Sequence, residues 1–217
     1  MAEDKPVALE PRNEAADGRR YSPSTARNRE PIRDVFAAQG LDKGSALEIA
    51  SGTGEHGAFL TEQFPELRWT YSDIDADGRA SQSAWKAAAG HDRLSGPLVI
   101  DASSDDWGDA ESGGWDLIVS MNMVHISPFA ATEGLLRGAG RLLAPGGHLL
   151  LYGPYARNGE IAPSNALFSE NLKSRDPAWG VRDLDLELLP LASRVGLQLQ
   201  AVTEMPANNL SVVFRRP

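Results

Sequence analysis

The stretch A-L-E-I-A-S-G-T-G-E-H-G, residues 46–57, constrains the fold more than any other part of the chain. A short apolar run (Ala46, Leu47, Ile49, Ala50) carries one acid, Glu48, then breaks into a loop holding Gly52, Gly54 and Gly57. Residues 55–64 follow, with Ala58, Phe59, Leu60 and Phe64 apolar at helical offsets. Strand, glycine turn and helix in this order let backbone approach a bound nucleotide closely and aim a helix N-terminus at it.

The glycines satisfy G-x-G-x-x-G, so a dinucleotide site and a plain structural turn both fit the spacing. Glu48 shifts the balance. A carboxylate four residues before the first glycine is poorly placed for a pyrophosphate and well placed for an ammonium or sulfonium. S-adenosylmethionine carries both, and is the expected cofactor. Glu48, Ala50, Ser51, Gly52, Gly54 and His56 are its candidate contacts on this loop, His56 serving equally well as a helix cap.

The next segments extend the pattern. L-R-W-T-Y-S (67–72) alternates like a strand and ends in Asp73-Ile74-Asp75. Asp73, about 20 residues past the glycines, is placed to accept both ribose hydroxyls, or is an ordinary turn aspartate. Ile74 is taken with it as a cofactor contact, and Asp75 reads as the cap of the next helix. Leu98–Ile100 reads as a third strand ending at Asp101 and Ala102, where a carboxylate suits the adenine amino group. W-D-L-I-V-S-M (115–121) is a fourth strand, and Met121 and Asn122 leave it beside the donor, with His125 close behind. A helix over 130–143 leads to a fifth strand at His148–Tyr152.

Residues 153–183 break the alternation as an insertion over the ligand crevice, with one helix near 166–173. A helix from Arg182-Asp183 to about Val195 follows, then strands 197–203 and 210–214 joined by a loop too short for a parallel crossover. The expected fold is therefore α/β, a mainly parallel sheet with helices on both faces and a last antiparallel strand. Residues 1–20 read as a loose, charged tail, and 21–217 as one domain. Asn28 and Pro31 read as the start of a first helix. Tyr21, Arg27 and Asn28 ahead of it form either a lid over the cofactor or simple capping.

With a formal charge of −9 and no long Lys/Arg run, neither nucleic acid nor an anionic membrane is an expected partner. The chain has no cysteine, no apolar run of membrane-spanning length, no signal-peptide core and no His spacing that suits a metal. A soluble, cytoplasmic protein is expected.

Y-S-P-S-T-A-R-N-R-E-P-I, L-E-I-A-S-G-T-G-E-H, W-T-Y-S-D-I-D, N-M-V-H-I-S-P, Y-G-P-Y-A-R-N-G, D-P-A-W-G-V-R-D and M-P-A-N-N together resemble the class I methyltransferases around methyltransferase-like protein 26, domain-of-unknown-function family 938. The resemblance spans about residues 21–217. It implies a seven-stranded Rossmann-like sheet of order 3-2-1-4-5-7-6 and S-adenosylmethionine as donor, and it names a cofactor better than a reaction. Glu55 stands where the family often has glutamine.

The expected activity is methyl transfer to a small-molecule acceptor by in-line displacement. His125 is the candidate base, or a histidine bracing its loop. Tyr152 and Tyr155 either orient the acceptor or pack. Trp179, Arg182, Asp183 and Asn208 are candidate acceptor contacts, Arg182 hinting at an acidic substrate, Asp183 doubling as a helix cap and Asn208 as a turn residue. The rivals are a nicotinamide oxidoreductase on the same strand-turn-helix and a methyltransferase-like scaffold that binds the donor without turnover.

Overall fold

The computed structural model describes residues 11–217. The first half of the expected tail, residues 1–10, lies outside the described residues. The second half is ordered, which corrects the expectation. Asn13–Glu14 pairs antiparallel with Arg20–Tyr21 around a turn closed by Ala15 N–H to Arg19 O at 2.8 Å. The reason is a partner far along the chain. Tyr21 packs edge-on to Trp85 at 5.1 Å, the Arg19 guanidinium lies 4.9 Å from the centre of that ring, and the Trp85 indole donates to Arg20 O.

Helix α1, Pro23–Gln39, starts five residues ahead of Asn28, with Pro23 in its first turn. Asn28 is thus a buried residue inside the helix and not its cap. Gly40 ends α1 in the left-handed conformation, φ 68°, that glycine adopts without strain.

The main sheet comprises β1 Gly44–Glu48, β2 Leu67–Ser72, β3 Leu94–Leu98, β4 Trp115–Met121, β5 Leu143–Ala156, β6 Gln198–Met205 and β7 Asn209–Arg215. Its order is β3-β2-β1-β4-β5-β7-β6, with β7 antiparallel to both neighbours. Between these strands lie α2 Glu55–Gln63, α3 Ala76–Ala88, α4 Phe129–Leu142, α5 Pro163–Arg175 and α6 Leu189–Arg194. This is the Rossmann-like class I methyltransferase fold.

Several boundaries differ from expectation. β3 lies at 94–98, because Arg93 O and Leu94 pair with Trp69 while Val99 turns out to solvent; its Pro97 is tolerated on an edge strand. β5 runs on to Ala156, so the insertion starts at 157. Arg182–Asp183 is a short parallel pairing with Tyr155–Ala156, followed by a wide π turn at Leu184–Leu188 before α6. Pro190, which has no N–H to donate, interrupts the regular ladder there.

Strand alternation divides the core. Leu117, Val119, Leu150 and Val213 face α1 and α2 with Phe36, Leu60 and Trp69, while Ile118, Leu149, Leu151 and Phe214 face α4 and α6 with Leu135, Leu142 and Leu188. Helix α4 sits close to the β3 exit because it carries glycines. A Cβ at Gly134 would overlap the Ala102 carbonyl, and one at Gly138 the Trp107 ring. Gly138→Ala is therefore expected to lower stability by about 1–3 kcal/mol, despite alanine's better helix propensity. A urea midpoint that is unchanged or higher, at constant slope, would contradict this packing.

Candidate active site

β1, β2, β4 and β5 end on one edge of the sheet, and the polar residues singled out above cluster there. The loop after β1 is built on left-handed turns: Ala50 at φ 59°, Gly52 at 56° and Gly54 at 84°. Alanine adopts this conformation at a cost of about 1–2 kcal/mol, so Ala50 holds local strain at the loop's start. The loop is tied to the end of β2 throughout. Ser51 N–H bonds Ser72 O at 2.8 Å, Gly52 N–H bonds Asp73 Oδ2 at 2.8 Å, and the Tyr71 hydroxyl bonds Gly54 O at 2.8 Å. Gly57, third of the glycine pattern, is a packing residue: a Cβ there would overlap Trp69 and Tyr71.

Three buried acids ring this loop. Glu48 is 1% exposed and receives the Trp69 indole N–H at 3.0 Å. Burial pushes its carboxyl up to about 8, against smaller downward pulls from Trp69 and Ser51. It is accordingly a neutral acid in the sheet interior, at the place where the sequence suggested a carboxylate set for a cation. Glu55, first residue of α2, is buried, accepts Ser22 N–H at 3.0 Å and lies 3.8 Å from Arg29; burial raises its pKa. Asp73 is buried too, accepting Gly52 N–H through Oδ2 and Asp75 N–H through Oδ1. Burial raises its pKa, while those bonds and Arg12 of the N-terminal hairpin pull it down.

Asp75 caps α3 as expected, accepting from Asp77 and Gly78 N–H. Ile74, 63% exposed, and Val99, 69% exposed, leave apolar surface at the ends of β2 and β3. Asp101 is exposed and spends Oδ1 on its own turn, bonding Ser103 N–H and Oγ. Ala102 beside it is buried.

On the other side of this edge, Met121 is buried and Asn122, at φ 66°, turns the chain with its N–H on Tyr152 O at 2.8 Å. His125 is 3% exposed, beside Gly153 and edge-on to Phe168 of α5 at 5.6 Å, and its carbonyl takes Gly180 N–H. Burial, aided by the Arg182 charge, lowers its pKa to about 3. Asn28 joins two further candidates: its Oδ1 lies 2.8 Å from His56 Nε2, and its side chain bonds the Tyr152 hydroxyl. Burial lowers His56 to about 4, so its neutral ring donates to Asn28. Arg27 is close enough to Tyr152 to lower its pKa.

Several expected acceptor contacts are engaged elsewhere. Tyr155 is three residues from Tyr152 on one strand, so it faces the opposite side of the sheet. It is buried among apolar residues, its hydroxyl has no partner, and burial drives its pKa up. Arg182 donates to Val124 O, Ser127 O and Ala178 O and covers the Phe129 ring, so it staples the insertion to the loop after β4 and gives no sign of an acidic substrate. Asp183 caps Asp185 and Leu186 N–H and also takes Gly159 N–H. Trp179 is buried. Asn208, at φ 56°, fastens the β6–β7 turn to α5 through Ser164 and Asn165. Tyr21 belongs to the hairpin on Trp85.

Helix α3 holds what the sequence reading missed. Gly78, Ser81 and Gln82 are its buried face, at i, i+3 and i+4 where apolar residues are expected. That substitution of small and polar residues for a hydrophobic stripe was the available signal.

Among the described residues no group of three or more His, Cys, Asp or Glu is placed to hold a metal ion, and no helix is long and apolar enough to cross a membrane. The residues at this edge are chemically suited to a nucleoside bearing a cation: a glycine-bearing loop, a buried acid at the end of β2 and apolar surface at Ile74 and Val99. They suit a pyrophosphate poorly, since Glu55 occupies the first turn of α2, where a helix N-terminus would otherwise receive the anion.

The buried acid has a stability consequence. Between about 4.5 and about 8, folded Glu48 keeps a proton that the unfolded chain releases, so its contribution is intact below that window and is lost as pH rises through it. Glu48→Gln has no such proton. Its stability relative to the wild type is expected to increase from about pH 5 to about pH 8, by on the order of a few kcal/mol, in urea unfolding. A difference that stays constant with pH would place Glu48 in a wetter site.

Similarity to known proteins agrees with this architecture. A ribosomal RNA small subunit methyltransferase C from Pectobacterium atrosepticum is 36% identical over 132 residues, covering 53% of this chain and 36% of the relative. The chain thus spans about a third of the length of the curated relative it matches. An O-methyltransferase family protein from Burkholderia thailandensis superposes with TM-score 0.74 at 17% identity, covering 89% of this chain and 57% of the other. Human N-acetylserotonin methyltransferase in complex with SAM gives 0.62 at 16%, covering 87% and 54%. Residues 19–216 match the family described as "Protein of unknown function (DUF938)", and the chain belongs to that family.

Proposed function

We propose that this protein is an S-adenosylmethionine-dependent methyltransferase acting on a small-molecule acceptor. The observation that carries the reading is the acid-ringed glycine loop, with Asp73 bonded to Gly52 N–H and Glu55 at the α2 N-terminus, a setting that favours a cationic nucleoside over a dinucleotide. Ala50–Gly54 and Asp73 are the residues to hold the donor's amino-acid and ribose parts, with Ile74, Asp101 and Ala102 around its base. Bound there, S-adenosylmethionine supplies an electrophilic methyl group on a sulfonium. Within the family, the Y-S-P-S-T-A-R-N and D-P-A-W-G-V-R-D motifs support kinship with methyltransferase-like protein 26.

The chain's own contribution is position and exclusion of water. Tyr152, its phenol held by Asn28, and Asn122 orient the acceptor. His125 takes the acceptor's proton on a ring nitrogen. With a proton affinity this low, it suits an acceptor that sheds its proton readily, and its charge state does not change between about pH 5 and about pH 8.

Small acceptors are favoured because His125 is 3% exposed beneath Phe168 and the Gly180 segment. The overall charge of −9 points the same way, being unsuited to a nucleic-acid surface. Methylation of ribosomal RNA is the second reading, on the strength of the curated relatives' names.

Asp73→Ala is expected to weaken S-adenosylhomocysteine binding by about 1–3 kcal/mol in calorimetry, and unchanged affinity would move the ribose contact elsewhere. His125→Asn is expected to lower kcat about 100-fold or more with KM for the donor unchanged. A loss under about tenfold would leave His125 a brace. S-adenosylhomocysteine release measured with a panel of phenols, amines and carboxylic acids, and separately with small ribosomal subunits, decides the acceptor class. Turnover on the subunits alone contradicts the small-molecule reading.

A further inference from the structure

Helix α3 turns polar chemistry toward the glycine loop. Ser81 Oγ donates to Thr53 O at 2.7 Å and accepts Arg20 N–H from the N-terminal hairpin at 2.9 Å. Gln82 is fully buried, and its Nε2 donates both to Gly52 O at 3.0 Å and to Asp73 Oδ2 at 3.4 Å, while its Oε1 has no partner. Gly78 completes the fit: a Cβ there would stand 3.1 Å from Gly52 O and 3.3 Å from Asp73 Oδ2. One side chain thus grips both halves of the candidate donor site, the loop after β1 and the acid after β2.

The geometry points to Gln82 as the positioning residue of the donor site, a neutral amide that fixes the orientation of the Asp73 carboxylate relative to the glycine loop. This inference rests on the donor reading above. The chemistry explains why an amide serves. A buried glutamine is unusual, since an orphaned amide oxygen costs about 1–3 kcal/mol, and an apolar side chain would pack here without that cost. What the amide adds is an N–H for an acid that already has the like charge of Asp75 beside it. Asp73 faces Glu48 from β1 and Asp75 from the start of α3, Arg12 from the hairpin is the cation beside it, and Arg79 bonds its backbone carbonyl. A lysine or arginine at 82 would repel a cationic ligand, and a glutamate would compete with Asp73 for a proton.

Two variants of the full chain test this, titrated with S-adenosylhomocysteine by calorimetry from about pH 6 to about pH 9 beside ligand-free melting curves. Gln82→Met keeps the volume and removes the donor. It is expected to bind about tenfold more weakly, with little change in ligand-free melting temperature. Gln82→Glu is expected to bind near the wild-type level while protonated and to lose affinity as pH rises, with a slope in excess of the wild type's, whose Glu48 also titrates in that range. Wild-type affinity in both variants at every pH overturns the assignment, as does a loss in the methionine variant that only tracks a lower melting temperature. If the methionine variant fails to fold, the pH slope of the glutamate variant decides alone. A wild type that does not bind S-adenosylhomocysteine defeats the donor reading and this inference with it, whereas tight wild-type binding with indifferent variants removes only the role of Gln82.

Discussion

The Gly52 N–H to Asp73 Oδ2 bond, 2.8 Å long, is the contact on which the rest of the site depends. It joins the turn after β1 to the turn after β2, two segments that sheet order alone brings side by side. Around it the molecule has arranged Tyr71, Ser72 and Gln82 to satisfy the loop's carbonyls, and Gly57 to let α2 close onto β2. The left-handed strain at Ala50 persists because so many bonds over-determine this turn. The edge of the sheet is thereby heavily cross-bonded where the donor is proposed to bind.

Burial sets the charge of this edge. Glu48 is held protonated, and His56 and His125 are held neutral, each mainly because the sheet interior disfavours a charge. Fixed charge is left to partly compensated groups: Asp73 beside Arg12, and Glu55 beside Arg29. Acids thus lie near the loop and a neutral imidazole lies farther along the edge, the arrangement on which the proposed methyl transfer rests.

The sheet was legible in the sequence because its determinants are local. Alternation in 67–72 and the apolar run in 115–121 match β2 and β4 residue for residue, and Asp75 announced its helix cap. The short 205–209 turn required the antiparallel last strand. What escaped notice depends on distant partners. The hairpin at 13–21 is polar and packs against Trp85 and Ser81 of α3, about 60 residues on. Glu48 reads as a charged strand-end acid until its burial against the Trp69 indole is seen. Tyr155 seemed a twin of Tyr152 until the strand ran four residues longer than expected and the pleat sent it to the other face. Arg182 and Asp183 read as acceptor contacts by type, and their bonds to backbone brace the insertion. Gln82 was passed over because a polar residue in a helix is read as solvent-facing.

The Gly52–Asp73 edge is proposed to receive a cationic nucleoside and not a dinucleotide. Thermal melting of the full chain with S-adenosylmethionine, S-adenosylhomocysteine and NADH at matched concentrations tests it most directly. At about 100 times the dissociation constant a ligand adds about 2.7 kcal/mol, roughly 5–10 °C for a chain of this size. A rise of that order with the two sulfur ligands and none with NADH is the expected result. A rise with NADH alone would contradict the account.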